Sequence, residues 1–381
     1  MPRRSASEVC VAVDASSRTR TPAFRPIDEM GVAELEIIRL VLRGGSVVDW
    51  RRLWFRDVAE VDAFLRLNLF DLADPRDERR LRSILAQAVD YLRNAVGYRV
   101  AEAVASPEDV RDLFLYASAT KEPRKYRRIA CVVLKCMHVV HHLEARELVF
   151  RTAIRESDLA GRVHRRVMAE ARRMREQGFP IVEFQGSVKS RASLISKLIA
   201  KRETVAAQIF DRVRYRIVTE REEHIAPVVW HLTQTLFPFS FAVPGQSDNS
   251  LVAFRELVEG HPLGEQVAAE LEAPLDAESR DHLREGNEFS GKDYRVLNFV
   301  VDLPVRIDEL LPKDGLLAED LGRIVFSLVE FQILDAASAR RNEQGDSSHQ
   351  RYKQRQRQRV LRRLSRGLVV PKRRPGTGGK E

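Results

Sequence analysis

The sequence predicts an α+β protein: an N-terminal all-α helical domain followed by an α/β domain built on a mixed sheet. Two observations carry that expectation. Through 27–177 apolar residues recur at three- and four-residue spacing, the period of helices that bury one face in a bundle. After Gly178-Phe179-Pro180 the pattern changes to short β-branched or alternating segments with helical stretches between them. A chain of 381 residues with 44% apolar content has room for two packed cores, and 31% charged residues suit a water-exposed surface.

Taken in order, 1–26 reads as disordered; its apolar piece, 9–13, is too short for a signal peptide. The helical domain, 27–177, holds expected helices at 32–42, 58–67, 77–94, 107–117, 126–149 and 158–177. Asp74-Pro75 and Ala105-Ser106-Pro107 are turn signals, and Ser106 is placed to cap a helix that Pro107 starts. The second domain, 178–366, has expected strands at 181–185, 213–219, 239–243, 294–303 and 323–333. Its expected helices are 190–201, 222–236, 336–341 and 350–366. The polar stretch 244–290 fits no strand of that sheet and reads as an insertion carrying two helices. The end, 367–381, is rich in Pro, Gly and Lys and reads as an unstructured basic tail.

No run approaches the roughly 20 apolar residues of a membrane span, so no membrane partner is expected. Cys10, Cys131 and Cys136 cannot form a disulfide framework, and the last two read as small buried hydrophobes, which fits a reducing cytoplasm. The net charge of +9 is unevenly spread. From 351 to 381 twelve Lys and Arg stand against one acid, a local +11, so the rest of the chain is slightly acidic.

Four segments could carry chemistry. Gly186-Ser187-Val188-Lys189-Ser190 follows a strand and precedes a helix, where a glycine and helix N-terminal amides can approach a phosphate. Lys189, Ser193 and Lys197 are spaced by four and share one helix face; an ordinary turn with solvated lysines fits the same residues. Asp211 stands at the start of the strand carrying Arg214 and Arg216, where a carboxylate can hold Mg²⁺ and an arginine a phosphate; a turn cap and an outward-facing arginine also fit. In 326–333, alternation places Leu328, Glu330 and Gln332 on the face opposite Ser327, Val329 and Phe331. Glu330 in a central strand needs a partner, and a metal, a substrate hydroxyl or an exposed sheet face would each satisfy it. Finally, His349 and Lys353 lie one helical turn apart at the start of the basic helix.

In order and spacing these pieces, with one more strand, resemble the RelA/SpoT synthetase family over somewhat under half of the chain. That family's loop reads Gly-Arg-x-Lys, then Ser, then Lys; here stand Gly186, Ser187, Lys189, Ser193 and Lys197. Its following Asp, with Arg five residues on, matches Asp211 and Arg216. The family's Gly-Tyr-x-x-Leu-His strand corresponds to Asp293-Tyr294-Arg295-Val296-Leu297-Asn298, and Glu-x-Gln-Ile-Arg-Thr to Glu330-Phe331-Gln332-Ile333-Leu334-Asp335. Its His-x-x-Tyr-Lys matches His349, Tyr352 and Lys353.

The resemblance implies a nucleotidyltransferase-like α/β domain over 181–353 that transfers pyrophosphate from ATP to the ribose 3′-hydroxyl of GDP or GTP. It implies Lys189, Lys197 and Arg216 on donor phosphates, Tyr294 stacked on guanine, and Mg²⁺ on Asp211 and Glu330. It also makes Glu330 the acceptor of the 3′-hydroxyl proton, with Gly186, Ser193, Gln332, His349 and Lys353 among the nucleotide-binding residues. The departures at Ser187, Asp293, Asn298, Leu334 and Asp335 thin the cations around the nucleotides. Two alternatives follow from them and from the tail: a catalytically weakened nucleotide sensor, or pyrophosphate transfer to an RNA 3′ end.

Members of that family with a helical hydrolase domain carry a His-Asp dipeptide, which the helical half here lacks. His138 and His142 are four apart and could share a metal, but no carboxylate motif accompanies them, and packed core histidines fit the pattern as well. A regulatory or dimer-forming bundle is the expectation, so homo-oligomerisation is left open. The helix with Arg355, Arg359, Arg362, Arg363 and Arg366 has no interleaved aromatics, which limits any RNA contact to nonspecific attraction.

Overall fold

The computed structural model describes residues 24–44, 54–152, 154–188, 213–270, 294–310, 322–344 and 349–365, with 192, 195, 196 and 199 between. Of the unstructured start expected at 1–26, residues 1–23 lie outside the described residues, while Phe24 packs edge-on against Phe179 at 5.3 Å. The tail expected at 367–381, most of the helix at 190–201 and part 271–290 of the insertion also lie outside them.

The described helices are α1 (Val32–Arg43), α2 (Val58–Leu67), α3 (Pro75–Asp90), α4 (Glu102–Ala105), α5 (Asp112–Ala117), α6 (Arg127–Arg151), α7 (Glu156–Glu176), α8 (Ile225–Thr235), α9 (Phe254–Glu259), α10 (Gly264–Glu270), α11 (Ala336–Glu343) and α12 (His349–Leu364). The strands are β1 (Ile181–Val188), β2 (Val213–Thr219), β3 (Asp248–Asn249), β4 (Leu297–Arg306) and β5 (Ile324–Asp335). They form one mixed sheet in the order β1-β2-β5-β4-β3, with β2 and β5 parallel and the other pairs antiparallel.

Side-chain caps open several of the helices. Asp74 accepts from the Arg76 amide just ahead of Pro75, the first residue of α3. Asp335, the last residue of β5, accepts from the amides of Ala337 and Ser338 and so opens α11. Helix α1 stops at Gly44, whose φ of 60° favours glycine; a Cβ there would meet Ser247 at 2.9 Å. Ser247 in turn donates to the Val41 carbonyl at 2.9 Å, so the end of α1 is tied to the segment that leads into β3.

Three expectations are corrected. The helix expected over 107–117 begins only at Asp112, because Arg82 takes the carbonyls of Pro107 and Glu108 at 3.1 and 2.8 Å. Ser106 therefore closes α4 rather than opening a helix. The strand expected at 239–243 is a 3-10 turn over Phe239–Phe241 with a single bridge from Ala242 to Val301. Phe239 and Phe241 are both buried, in two different apolar clusters, so the segment has no one-sided alternation to lay on a sheet. The fifth strand is instead Asp248–Asn249, inside the stretch expected to contribute none.

The core does not divide at 177/178. One cluster joins the odd-numbered sheet residues Tyr215, Ile217, Phe299, Phe331 and Ile333 to Leu35 and Ile38 of α1, Val163 and Val167 of α7, and Val228 of α8. A second holds α2 to α6 with Phe239 and Ile324. Helix α6 meets the even-numbered face near the start of β5, where His142 stacks on Phe326 at 3.9 Å. Arg306 of β4 reaches Asp77 of α3 at 2.6 Å from the same end. Helices thus cover the whole of one sheet face and one end of the other.

Candidate active site

Because strand side chains alternate, the register of β1, β2, β5 and β4 decides which residues share a face. Ser187 lies opposite Arg214, and Gln185 opposite Arg216. Arg214 is level with Glu330, and Arg216 with Gln332. Asn298 lies opposite Gln332, and Val300 opposite Glu330. The face that is even-numbered in β2, β4 and β5 therefore gathers Arg214, Arg216, Glu330 and the three amides Gln185, Asn298 and Gln332 beyond the end that α6 covers.

Glu330 is 4% exposed, and both its oxygens accept from Arg214: Oε2 from Nε at 2.9 Å and Oε1 from Nη2 at 3.0 Å. A buried carboxylate needs such a partner, and a two-point guanidinium contact gives it two charge-assisted hydrogen bonds in a fixed geometry. Arg216 reaches Glu343 of α11 at 3.4 Å, near the limit of an ion pair and on the exposed side. Gln332 donates from Nε2 to the Tyr294 hydroxyl at 3.0 Å. Burial raises the Tyr294 phenol above its ordinary range, with Arg214 and Arg216 opposing that shift.

Tyr294 stands just ahead of β4, and two side chains fix its backbone. Asn342 of α11 donates to the Arg295 carbonyl at 2.7 Å and accepts from the Arg295 amide at 3.1 Å. Ser250 donates to the Tyr294 carbonyl at 3.2 Å and accepts from the Val296 amide at 3.1 Å. Neither residue stood out in the sequence, since a lone Asn and a lone Ser carry no pattern.

The structure brings Arg216, Tyr294, Glu330 and Gln332 to one face and adds Arg214. Gly186 is not among them. It lies within β1 opposite Tyr215, on the apolar face, where an added Cβ would meet the Tyr215 ring at 2.7 Å and His164 at 3.1 Å. Close packing explains that glycine, and its side faces away from the arginines. Lys189, Ser193, Lys197 and Asp211 lie outside the described residues. His349 is the first residue of α12 and Lys353 lies one turn on, with side chains outside the described set.

Magnesium takes one or two carboxylates and fills its remaining positions with water and phosphate oxygens, so Glu330 fits as a donor by its chemistry. Its two oxygens already accept from Arg214. Among the described residues no group of three His, Cys, Asp or Glu could hold a metal. The histidines of α6 instead pack as a core: His138 and His142 are 4.3 Å apart between ring centres, and His142 contacts Asp302 at 3.3 Å. Burial lowers His138 to about 4, His141 to about 3 and His142 to about 2, and raises Asp302 to about 7. No described helix is long and apolar enough to cross a membrane.

No family model matches the chain, and no curated protein matches it. Solved structures with partial likeness include small alarmone synthetase 1 from Bacillus subtilis, 16% identical over 54% of this chain and 85% of that one, with a TM-score of 0.29. Small alarmone synthetase 2 from the same organism is also 16% identical, over 60% and 83%, with a TM-score of 0.27. A GTP pyrophosphokinase family protein from Streptococcus pneumoniae is 14% identical, over 55% and 87%, with a TM-score of 0.27. Likeness this distant leaves the functional reading to the residues of this chain.

Proposed function

We propose that the even-numbered sheet face is the active site of a magnesium-dependent pyrophosphokinase. Its donor is ATP and its acceptor the 3′-hydroxyl of a guanine nucleotide. The observation that carries this reading is the convergence of Arg214, Arg216, Tyr294, Glu330 and Gln332, drawn from three separate sequence segments, on one strip of sheet. Arg216, with Lys189 and Lys197, holds the donor phosphates. Tyr294 offers its ring to guanine, and Gln332 holds the phenol. Asp211 and Glu330 hold magnesium, which neutralises charge on the phosphates when bound. Glu330 accepts the proton of the 3′-hydroxyl, whose oxygen attacks the β-phosphorus as the bond to the α-phosphate oxygen breaks and AMP leaves.

The test is direct. Purified protein with ATP, magnesium and GDP or GTP yields a 3′-pyrophosphorylated nucleotide and AMP, and Asp211→Ala or Glu330→Gln removes the product. Wild type as inert as both variants with every acceptor overturns the reading. A second reading, a nucleotide sensor without turnover, is favoured by one observation: Arg214 holds both oxygens of the proposed base. It expects nucleotide binding in calorimetry with no product, and any clear turnover removes it. Transfer to an RNA 3′ end, by contrast, would label bulk tRNA from labelled ATP.

A further inference from the structure

We propose that the helical half carries a second binding site, for a diamino acid, in the cleft between α2, α3 and the loop that precedes α5. The cleft holds about 520 Å³, within the range of small-molecule sites. Leu65, Phe70, Leu72 and Val110 supply its apolar lining. Its charged lining is mixed, five carboxylates against three guanidiniums, which favours a ligand of net positive charge.

Most of that charge is already matched within the protein. Arg82 pairs with Glu78 at 3.0 Å and takes the carbonyls of Pro107 and Glu108. Arg111 holds Asp109 at 2.8 Å and reaches Asp62 at 3.3 Å. Asp71 uses one oxygen on the Ala73 amide at 3.1 Å and keeps the other. The side chains of Arg66 and Glu108 form no hydrogen bond or ion pair with any described residue. Two anionic groups and one cationic group are therefore left facing the cleft. Their complement is a molecule with two cations and one carboxylate on an aliphatic stem, the set carried by lysine, ornithine and arginine. A simple amine would leave Arg66 unmet, and an amino acid with an apolar side chain would leave one carboxylate unmet.

The wall that presents Asp71 is set in advance. Leu69 has a φ of 66°, in the left-handed region that a leucine rarely adopts. Its carbonyl accepts from Arg306 of β4 at 2.9 Å, the Asp71 amide donates to Asp77 at 2.9 Å, and Asp77 accepts from Arg306 at 2.6 Å. Strained backbone persists where its surroundings over-determine it, and it gathers at ligand clamps. Here it fixes Phe70 and Asp71 in the lining, which reduces the ordering that binding would cost.

Calorimetry on the full chain tests the proposal with lysine, ornithine and arginine, of which at least one binds saturably. The best of them is then compared with its amide, which lacks the carboxylate, and with the straight-chain amino acid that lacks the side-chain cation. Each analogue binds about tenfold or more weakly, the scale of one lost hydrogen bond between charged groups. Arg66→Gln lowers affinity for the acid to that for the amide, and Glu108→Gln lowers it about tenfold or more. Both side chains are exposed, so neither change disturbs the core. No saturable binding of any of the three at millimolar concentration overturns the proposal. So does equal binding of either analogue, unchanged affinity in both variants, or binding of a polyamine without any diamino acid. None of these readouts depends on transferase activity, so the site and the pyrophosphokinase reading stand or fall separately.

Discussion

Tyr294 is held at its hydroxyl by Gln332 and at its backbone by Ser250 and Asn342, so its ring is fixed before any ligand arrives. If guanine stacks there, Tyr294→Ala is expected to weaken acceptor binding by about 1–3 kcal/mol, read as a rise in acceptor KM, with Tyr294→Phe close to wild type. An unchanged acceptor KM in the alanine variant would remove the stacking role. The facing of Glu330 and Gln332 was legible in the sequence because strand alternation is strictly two-residue. The Arg214–Glu330 pair was not, since it depends on which strand lies beside β2 and in what register. Gly186 illustrates the reverse: its phosphate reading followed from sequence neighbours, whereas its partners in space are Tyr215 and His164.

At the scale of elements, α7 and α8 are joined beneath the sheet by Glu170 and His231, 2.6 Å apart and both almost fully buried. Removing one member of such a pair strands the other, and Glu170→Ala is expected to cost about 3–5 kcal/mol in urea unfolding. The contact of α6 with the sheet responds to pH in two directions. His138, His141 and His142 have folded values far below their ordinary 6.5, so their contribution is present above 6.5 and is lost as pH falls toward about 4 and below. Asp302 is raised from 3.8 to about 7, so its contribution is complete below 3.8 and is lost as pH rises through about 7. Asp302→Asn should therefore stabilise the protein at pH near 8 and not at pH near 4. With 27% of that side chain exposed, the gain is held to about 1–2 kcal/mol, measured by thermal melts at both pH values.

For the whole molecule, the sheet is packed between helices that come from both ends of the 27–177 segment and from its middle. Nine apolar side chains of α1 and α7 are buried: Leu35, Ile38, Val41, Leu42, Leu159, Val163, Val167, Ala171 and Met174. At about 1.5–3 kcal/mol for each buried large aliphatic side chain, their loss is comparable to or larger than the 5–15 kcal/mol of a typical domain. A fragment starting at 178 is thus expected to lack a cooperative melt and near-ultraviolet circular dichroism; a cooperative melt would show that the sheet folds without them. The periodicities by themselves determined the helical first half, four of the five strands and the polar side of β5, because those are properties of spacing within one segment. The tertiary structure alone decided that α1 and α7 belong beneath the sheet, that Asp248–Asn249 and not 239–243 completes it, and that Arg214 closes on Glu330. Those outcomes rest on contacts between residues far apart in sequence, 116 positions for Arg214 to Glu330 and 206 for Ser247 to Val41, which no local pattern records.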